Sequence, residues 1–144
     1  MVNLDIGCGD SEKEGYMGID HNKTAAADCV MSGTSLGFKD SSIRNIYSRR
    51  CVQAIKEDVK ALSEMYRVLE PNGRLELITQ SWRGWLFYKF RWLFQERPYS
   101  VSHLYTAKGL RKKLEGCGFS IVSLSFISKG NMKKDLCAKC VKAF

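Results

Sequence analysis

Met1-Val2-Asn3-Leu4-Asp5-Ile6-Gly7-Cys8-Gly9-Asp10 is the stretch on which the reading of this chain turns. Val2 to Ile6 is short and mostly apolar, as a buried parallel strand is, and it stops at Gly7-Cys8-Gly9. Two glycines around one residue let the backbone bend sharply and leave main chain facing a ligand. In open parallel sheets, ligands bind in the crevice beyond the strands' carboxyl ends. Tyr16-Met17-Gly18-Ile19-Asp20 follows, a second short apolar run ending in a carboxylate. At the tip of a neighbouring strand, that carboxylate can accept hydrogen bonds from both ribose hydroxyls of a nucleoside. Bend and carboxylate together predict a nucleoside-cofactor site.

A dinucleotide fold needs a third glycine and a helix N-terminus at the pyrophosphate. Here Asp10-Ser11-Glu12-Lys13-Glu14 follows Gly9, and its three acids would repel a pyrophosphate. They suit S-adenosylmethionine, which has no phosphate and carries a sulfonium and an ammonium. Leu4-Asp5-Ile6-Gly7-Cys8-Gly9-Asp10, then Gly18-Ile19-Asp20, then the run Tyr66 to Arg74 resemble successive motifs of class I S-adenosylmethionine-dependent methyltransferases. The resemblance spans nearly the whole chain and is greatest to the compact, type 11-like subgroup. It implies an α/β, Rossmann-like three-layer sandwich: a mostly parallel sheet of order 3-2-1-4-5-7-6 with a C-terminal antiparallel hairpin.

The same resemblance implies S-adenosylmethionine as cofactor, held by Asp5, Gly7, Cys8, Gly9, Asp10, Asp20, His21, Ser32 and Ser48. Gly7 and Gly9 would allow close approach of its methionine end, and Asp5 and Asp10 would favour its ammonium. Asp5 can instead bond main-chain amides beneath the loop. His21 either edges the adenine or is an exposed loop residue. Ser32 stands where relatives often keep an acid for the adenine amino group. Ser48 opens a segment that in many relatives ends in Glu-His, whereas this chain has Gln53-Ala54.

The link between Gly9 and Tyr16 is too short for the crossover helix that parallel strands normally require. An extended loop is expected there, with the first crossover helix reduced or missing. Further strands are expected at Ala26–Met31, Ile43–Tyr47, Arg74–Thr79, Phe119–Phe126 and Leu136–Val141, with a turn at Gly130-Asn131. Glu57 to Leu69 is the clearest helix, with Val59, Leu62, Tyr66 and Leu69 on one stripe and Met65 beside it. Pro71-Asn72-Gly73 is expected to turn the chain out of it. Thr106 can N-cap a second helix running through Leu110 and Leu114 to a stop at Gly116-Cys117-Gly118.

The 144 residues predict one domain, 1–144, with an ordinary 44% hydrophobic and 26% charged composition. No run approaches a membrane span, no signal peptide precedes the first strand, and the six cysteines show no disulfide framework, so a cytoplasmic location is expected. Cys137 and Cys140 lie three apart on an expected strand and so point to opposite faces, and no metal site is predicted. The net charge of +8 gathers at Lys108–Lys113 and Lys129–Lys142. Such charge suits an anionic partner, whether a membrane surface, a phosphorylated substrate or, less favoured, nucleic acid; a solvated basic face explains it equally well.

Residues 82–97 interleave Trp, Phe and Tyr with Arg and Lys. This segment can be a lid over the acceptor, an interfacial helix dipping into an anionic membrane, or a packing or dimer helix. His103 and Tyr105 follow it and are candidates to deprotonate a hydroxyl acceptor. The overall expectation is methyl transfer to a small-molecule or lipid-like acceptor. The competing expectation is a weak or inactive fold relative that binds cofactor or an anionic partner.

Overall fold

A computed structural model describes residues 2–82, 101–128 and 133–143. Seven strands form one sheet in the order β3-β2-β1-β4-β5-β7-β6. They are β1 (Val2–Ile6), β2 (Met17–Asp20), β3 (Cys29–Val30), β4 (Ile43–Arg49), β5 (Leu69–Gln80), β6 (Phe119–Ser128) and β7 (Lys133–Lys142). The first five run parallel, and β7 pairs antiparallel with both β5 and β6. Strand order reverses between β1 and β4, so the crevice beyond β1 is the topological switch point where such sheets bind ligands.

Helix α1 (Asp58–Val68) crosses from β4 to β5, and α2 (Ala107–Gly116) precedes β6. Both bury their apolar faces in one cluster with Leu4 and Ile6 of β1, Ile46 of β4, Leu75 and Leu77 of β5 and Leu136 of β7. The buried stripe of α1 is Ala61, Leu62, Met65 and Val68. Val59, expected on that stripe, is 48% exposed instead. The helix is rotated because Asp58 buries its carboxylate against α2, which turns Val59 outward.

Thr106 Oγ1 accepts a hydrogen bond from Gly109 N at 3.0 Å, as an N-cap should. At the other end Gly118 has φ +99°, and a Cβ there would lie 2.8 Å from the Tyr66 ring, so the exit from α2 takes only glycine. The C-terminal end of α1 is held by Lys142, whose ammonium donates to the carbonyls of Leu69 at 2.7 Å and Arg67 at 3.3 Å.

β6 and β7 run longer than expected, to Ser128 and over Lys133–Lys142, and three further boundaries shift. β3 is two residues long because the Asp28 side chain, not a ladder partner, accepts from Gly18 N at 2.8 Å. β4 runs two residues past Tyr47, to Arg49. Pro71-Asn72-Gly73 lies inside β5: the chain kinks at Asn72 (φ +64°), the register slips between Ile43 and Asn45 of β4, and pairing resumes at Arg74. The expected turn at Gly130-Asn131 and all of segment 82–97 except Trp82 fall outside the described residues.

Residues 7–16 carry the chain from β1 to β2 without a helix. The second helical layer is thereby reduced, among the described residues, to this loop and the 21–28 connection. Lys13 anchors the loop, its ammonium 4.1 Å from the Tyr47 ring centroid and 5.1 Å from that of Tyr16. Asn3 Nδ2 donates to Gly15 O at 3.1 Å. Beyond the loop the sheet face is open, with a cavity of about 500 Å³ between Tyr16, Asn45, Arg74, Glu76 and Lys139.

Candidate cofactor site

The site begins with the bend after β1. Gly7 and Gly9 have φ of +78° and +58°, the left-handed region that favours glycine. The amides of Gly7 and Cys8 both donate to Ile19 O of β2, at 2.7 and 3.2 Å, which fixes the bend to the neighbouring strand. A Cβ on Gly7 would stand 2.3 Å from the Cys51 Cβ, so the turn after β4 packs directly against the bend. Burial, and then the nearby Asp20 carboxylate, push the Cys51 thiol up to about 11. At neutral pH it is a small apolar wall, not a nucleophile.

Asp20, at the tip of β2, faces that bend. Its Oδ2 accepts from Gly9 N at 3.1 Å and its Oδ1 from Asn22 N at 3.0 Å. A carboxylate has about four acceptor positions. Two therefore stay open among the described residues.

Asp5 lies beneath, opposite Gly18 and Tyr47 in the sheet. It is 5% exposed, and no hydrogen-bond donor among the described residues reaches its carboxylate. Burial raises its pKa, and the charge of Lys13 offsets this in part. The alternative role for Asp5, bonding main-chain amides under the loop, is not what the structure shows. The charges of both Asp20 and Asp5 help to raise the Cys51 thiol.

The remaining expected residues divide. Cys8 is buried with its sulfur packed toward Gly18, so it offers the site main chain alone. Asp10 is exposed and accepts from Ala25 N at 3.1 Å, tying the loop to the 21–28 connection rather than to Asp5. His21 is exposed beside Asp20. Ser32 is exposed, with its hydroxyl engaged by Thr34 at 2.8 Å. Ser48 is fully buried and its hydroxyl donates to Ile6 O at 2.9 Å, a strap between β4 and β1.

Both catalytic candidates make bonds to the fold. Tyr105 is 3% exposed and donates to Asp58 Oδ2 at 2.7 Å. Burial, and then the bond to that carboxylate, raise its pKa far beyond the physiological range. It holds the segment before α2 onto α1 and cannot act as a base. His103 uses Nε2 to donate to Lys56 O at 2.8 Å, which fixes its tautomer and commits that nitrogen to structure.

Two features escaped the sequence. Asp58, 4% exposed, receives Tyr105, the Lys113 ammonium and Val59 N. Burial alone would raise its pKa, but the bonds from Lys113 and Tyr105 and the charge of His103 hold it below the ordinary value. Gln53 is fully buried: Oε1 accepts from Gln80 N at 2.6 Å and Thr79 at 3.3 Å, and Nε2 donates to Gln80 Oε1 at 3.2 Å. Its carbonyl takes the amides of Ser102 and His103. Gln53 thus clasps the carboxyl end of β5 to the wall bearing Cys51. A single amide in a mostly apolar run was the one available signal.

A glycine bend, a facing carboxylate at the next strand tip and a topological switch point define a nucleoside-binding α/β protein. The acids around the bend suit a cationic ligand group. The chain belongs to the class I S-adenosylmethionine-dependent methyltransferases, for the family described as "Methyltransferase domain" matches residues 4–77. The family's cofactor is S-adenosylmethionine. A phosphoethanolamine N-methyltransferase 2 of Caenorhabditis elegans is 33% identical over 69 residues, covering 46% of this chain and 16% of that protein. The chain therefore spans about a sixth of that relative's length. Among solved structures, a methyltransferase of Methanosarcina mazei superposes with a TM-score of 0.74 at 21% identity, covering 99% of this chain and 92% of its own. The cyclase SpnF gives 0.73 at 15% identity, covering 98% and 74%.

Proposed function

We propose that the chain transfers a methyl group from S-adenosylmethionine to a small-molecule or lipid-like acceptor. The observation that carries this reading is the contact of Gly9 N with Asp20 at 3.1 Å, beside a buried Asp5 that lacks a donor. Asp20 would hold the ribose, Asp5 the cationic end, and the bare main chain of Gly7 to Gly9 would admit the ligand's backbone-like portion. When bound, S-adenosylmethionine supplies a methyl carbon already activated by its sulfonium. Alignment and exclusion of water then matter more than acid–base catalysis. That accords with His103 and Tyr105 being spent on structure. Gln53 and Cys51 serve as positioning residues, holding the wall against which the bend is set.

The acceptor is read from two sources. The curated relative is named for phosphoethanolamine, an amine carrying a phosphate. The aromatic and basic residues of 82–97 suit an amphipathic or anionic acceptor, or a membrane surface that presents one. Six free cysteines accord with a reducing, cytoplasmic setting, and no helix among the described residues is long and apolar enough to cross a membrane. Titration calorimetry with S-adenosylmethionine and S-adenosylhomocysteine tests the cofactor: binding of both is expected, and binding of neither removes the reading. Incubation with phosphoethanolamine and labelled cofactor then tests the acceptor, a labelled amine being the expected product. Co-sedimentation with anionic vesicles, lost on Trp85→Ser with Phe90→Ser, tests the membrane contact. A gel shift across a salt series tests nucleic acid, because phosphate contacts weaken steeply with salt.

The second reading is a relative that binds cofactor without transferring methyl groups. The loop in place of the first crossover helix favours it, as does Gln53 being consumed internally. SpnF, named a cyclase, shows that this fold is not tied to one chemistry. Cofactor binding with no labelled product from a panel of amines, carboxylates and hydroxyls would select it.

A further inference from the structure

We infer that Arg50 and Asp135 are a positioning pair: they latch the turn after β4 so that Cys51 stands against the glycine bend, and through that wall they set cofactor affinity. The last clause rests on the methyltransferase reading; the latch itself does not.

β4 ends at Arg49, and Arg50-Cys51 carry the chain into the 3₁₀ turn Val52–Ala54. Arg50 has φ +55°, in the left-handed region. Among the described residues, Ser41 and Asn72 share that region without being glycine, and both are short polar side chains at exposed bends near the amino ends of β4 and β5. A long side chain held there at the carboxyl end of β4 is strained. Such strain persists only where the surroundings over-determine it.

Two sets of bonds do so. The Arg50 amide donates to Ile78 O at 2.7 Å, which carries the ladder to β5 one residue past the end of β4. The guanidinium closes a fork on Asp135, Nε donating to Oδ2 at 3.1 Å and Nη2 to Oδ1 at 3.3 Å. β5 lies between β4 and β7, so this side chain spans two strand spacings, about 10 Å. Asp135 is buried and stands opposite Gln80 in the ladder, and Gln80 is the residue that Gln53 grips. The turn is thus pinned at both ends to adjoining residues of β5 and β7. Cys51 lies between the pins, its Cβ where it would collide with any Cβ on Gly7. Released from Asp135, Arg50 can relax to a negative φ, and Cys51, one residue on, is drawn off the bend.

Alkylation of Cys51 by iodoacetamide, followed in the full chain by peptide mass spectrometry, reads the wall directly. In wild type it should be slow, because burial holds the thiol up at about 11. Asp135→Ala should speed it about tenfold, the scale of one such strain released. Cys140, 2% exposed in the core, should stay unlabelled and so report an intact fold. Should Asp135→Ala expose Cys140 as well, Asp135→Asn takes its place, keeping the volume while losing the second acceptor of the fork. Adding Arg50→Gly to either variant should slow Cys51 again, because glycine holds a positive φ without strain. Calorimetric affinity for S-adenosylhomocysteine should follow the same order, weaker in the single variant and partly recovered in the double. Unchanged Cys51 labelling with Cys140 protected overturns the latch and leaves the pair a staple of the sheet. Labelling that glycine does not slow overturns the strained backbone as its cause. Faster labelling with undiminished affinity overturns the link to the cofactor. A wild type that binds no cofactor removes the methyltransferase reading, and labelling alone then decides the latch.

Discussion

Asp5 and Asp58 are both buried aspartates, 5% and 4% exposed, and the protein treats them oppositely. Asp58 is surrounded by donors: Tyr105, Lys113 and Val59 N. Asp5 has none among the described residues and meets Lys13 through space alone. The first lies under two packed helices, the second under a loop where a helix would ordinarily stand. A closed carboxylate holds a fold together. An open one costs stability and is worth keeping where a cation is to be received.

Breaking the closed member should have the largest effect. Asp58→Ala leaves a half-buried ammonium and a buried hydroxyl without their acceptor, and should cost about 3 kcal/mol in denaturant unfolding. Cofactor affinity measured on the folded fraction should be unchanged. Tyr105→Phe removes one of the three donors and should cost about 1–2 kcal/mol, again without loss of cofactor binding. A large loss of turnover with normal stability would return Tyr105 to the chemistry.

Asp5→Asn should invert the pattern. It removes a charge that burial disfavours, so stability should hold or rise. Calorimetric affinity for S-adenosylmethionine should fall about tenfold, equivalent to about 1.4 kcal/mol. A destabilised variant with intact affinity would make Asp5 structural.

Acid sharpens the contrast at smaller scale. The pKa of Asp58 is lowered by folding, so its contribution is present above the unfolded value of about 3.9 and is lost as pH falls through the folded one. The pKa of Asp5 is raised, so the folded state binds its proton first, and acidification through that folded value favours folding. Removing Asp58 should therefore flatten the acid limb of a stability–pH curve, and removing Asp5 should steepen it. Parallel urea titrations down the acid limb measure both slopes.

What could be read from the residues was local or periodic. The apolar run before Gly7, the acid closing β2, the stop at Gly118 and the cap at Thr106 each declare themselves within a few positions. The strand order came with the family resemblance, and the short link after Gly9 foretold the missing helix. What could not be read depends on distant residues. Tyr105 looks like a base until Asp58, 47 positions away, is seen to accept its hydrogen bond. Ser48 looks like part of a ligand segment until its hydroxyl is found on Ile6 O. The face of α1 was misjudged because a buried acid at its first turn outweighed the apolar Val59, and hydrophobic periodicity registers only the latter.

The loop that follows Gly9 has one more consequence. A helix beginning at that point would aim about half a positive charge at the ligand. Here nothing of that kind tempers the acids of the bend. On the proposed chemistry, a donor with charged sulfur is then favoured over the neutral thioether left after transfer. The spent cofactor should leave readily, and the protein should tolerate its own by-product better than helix-backed members of the family.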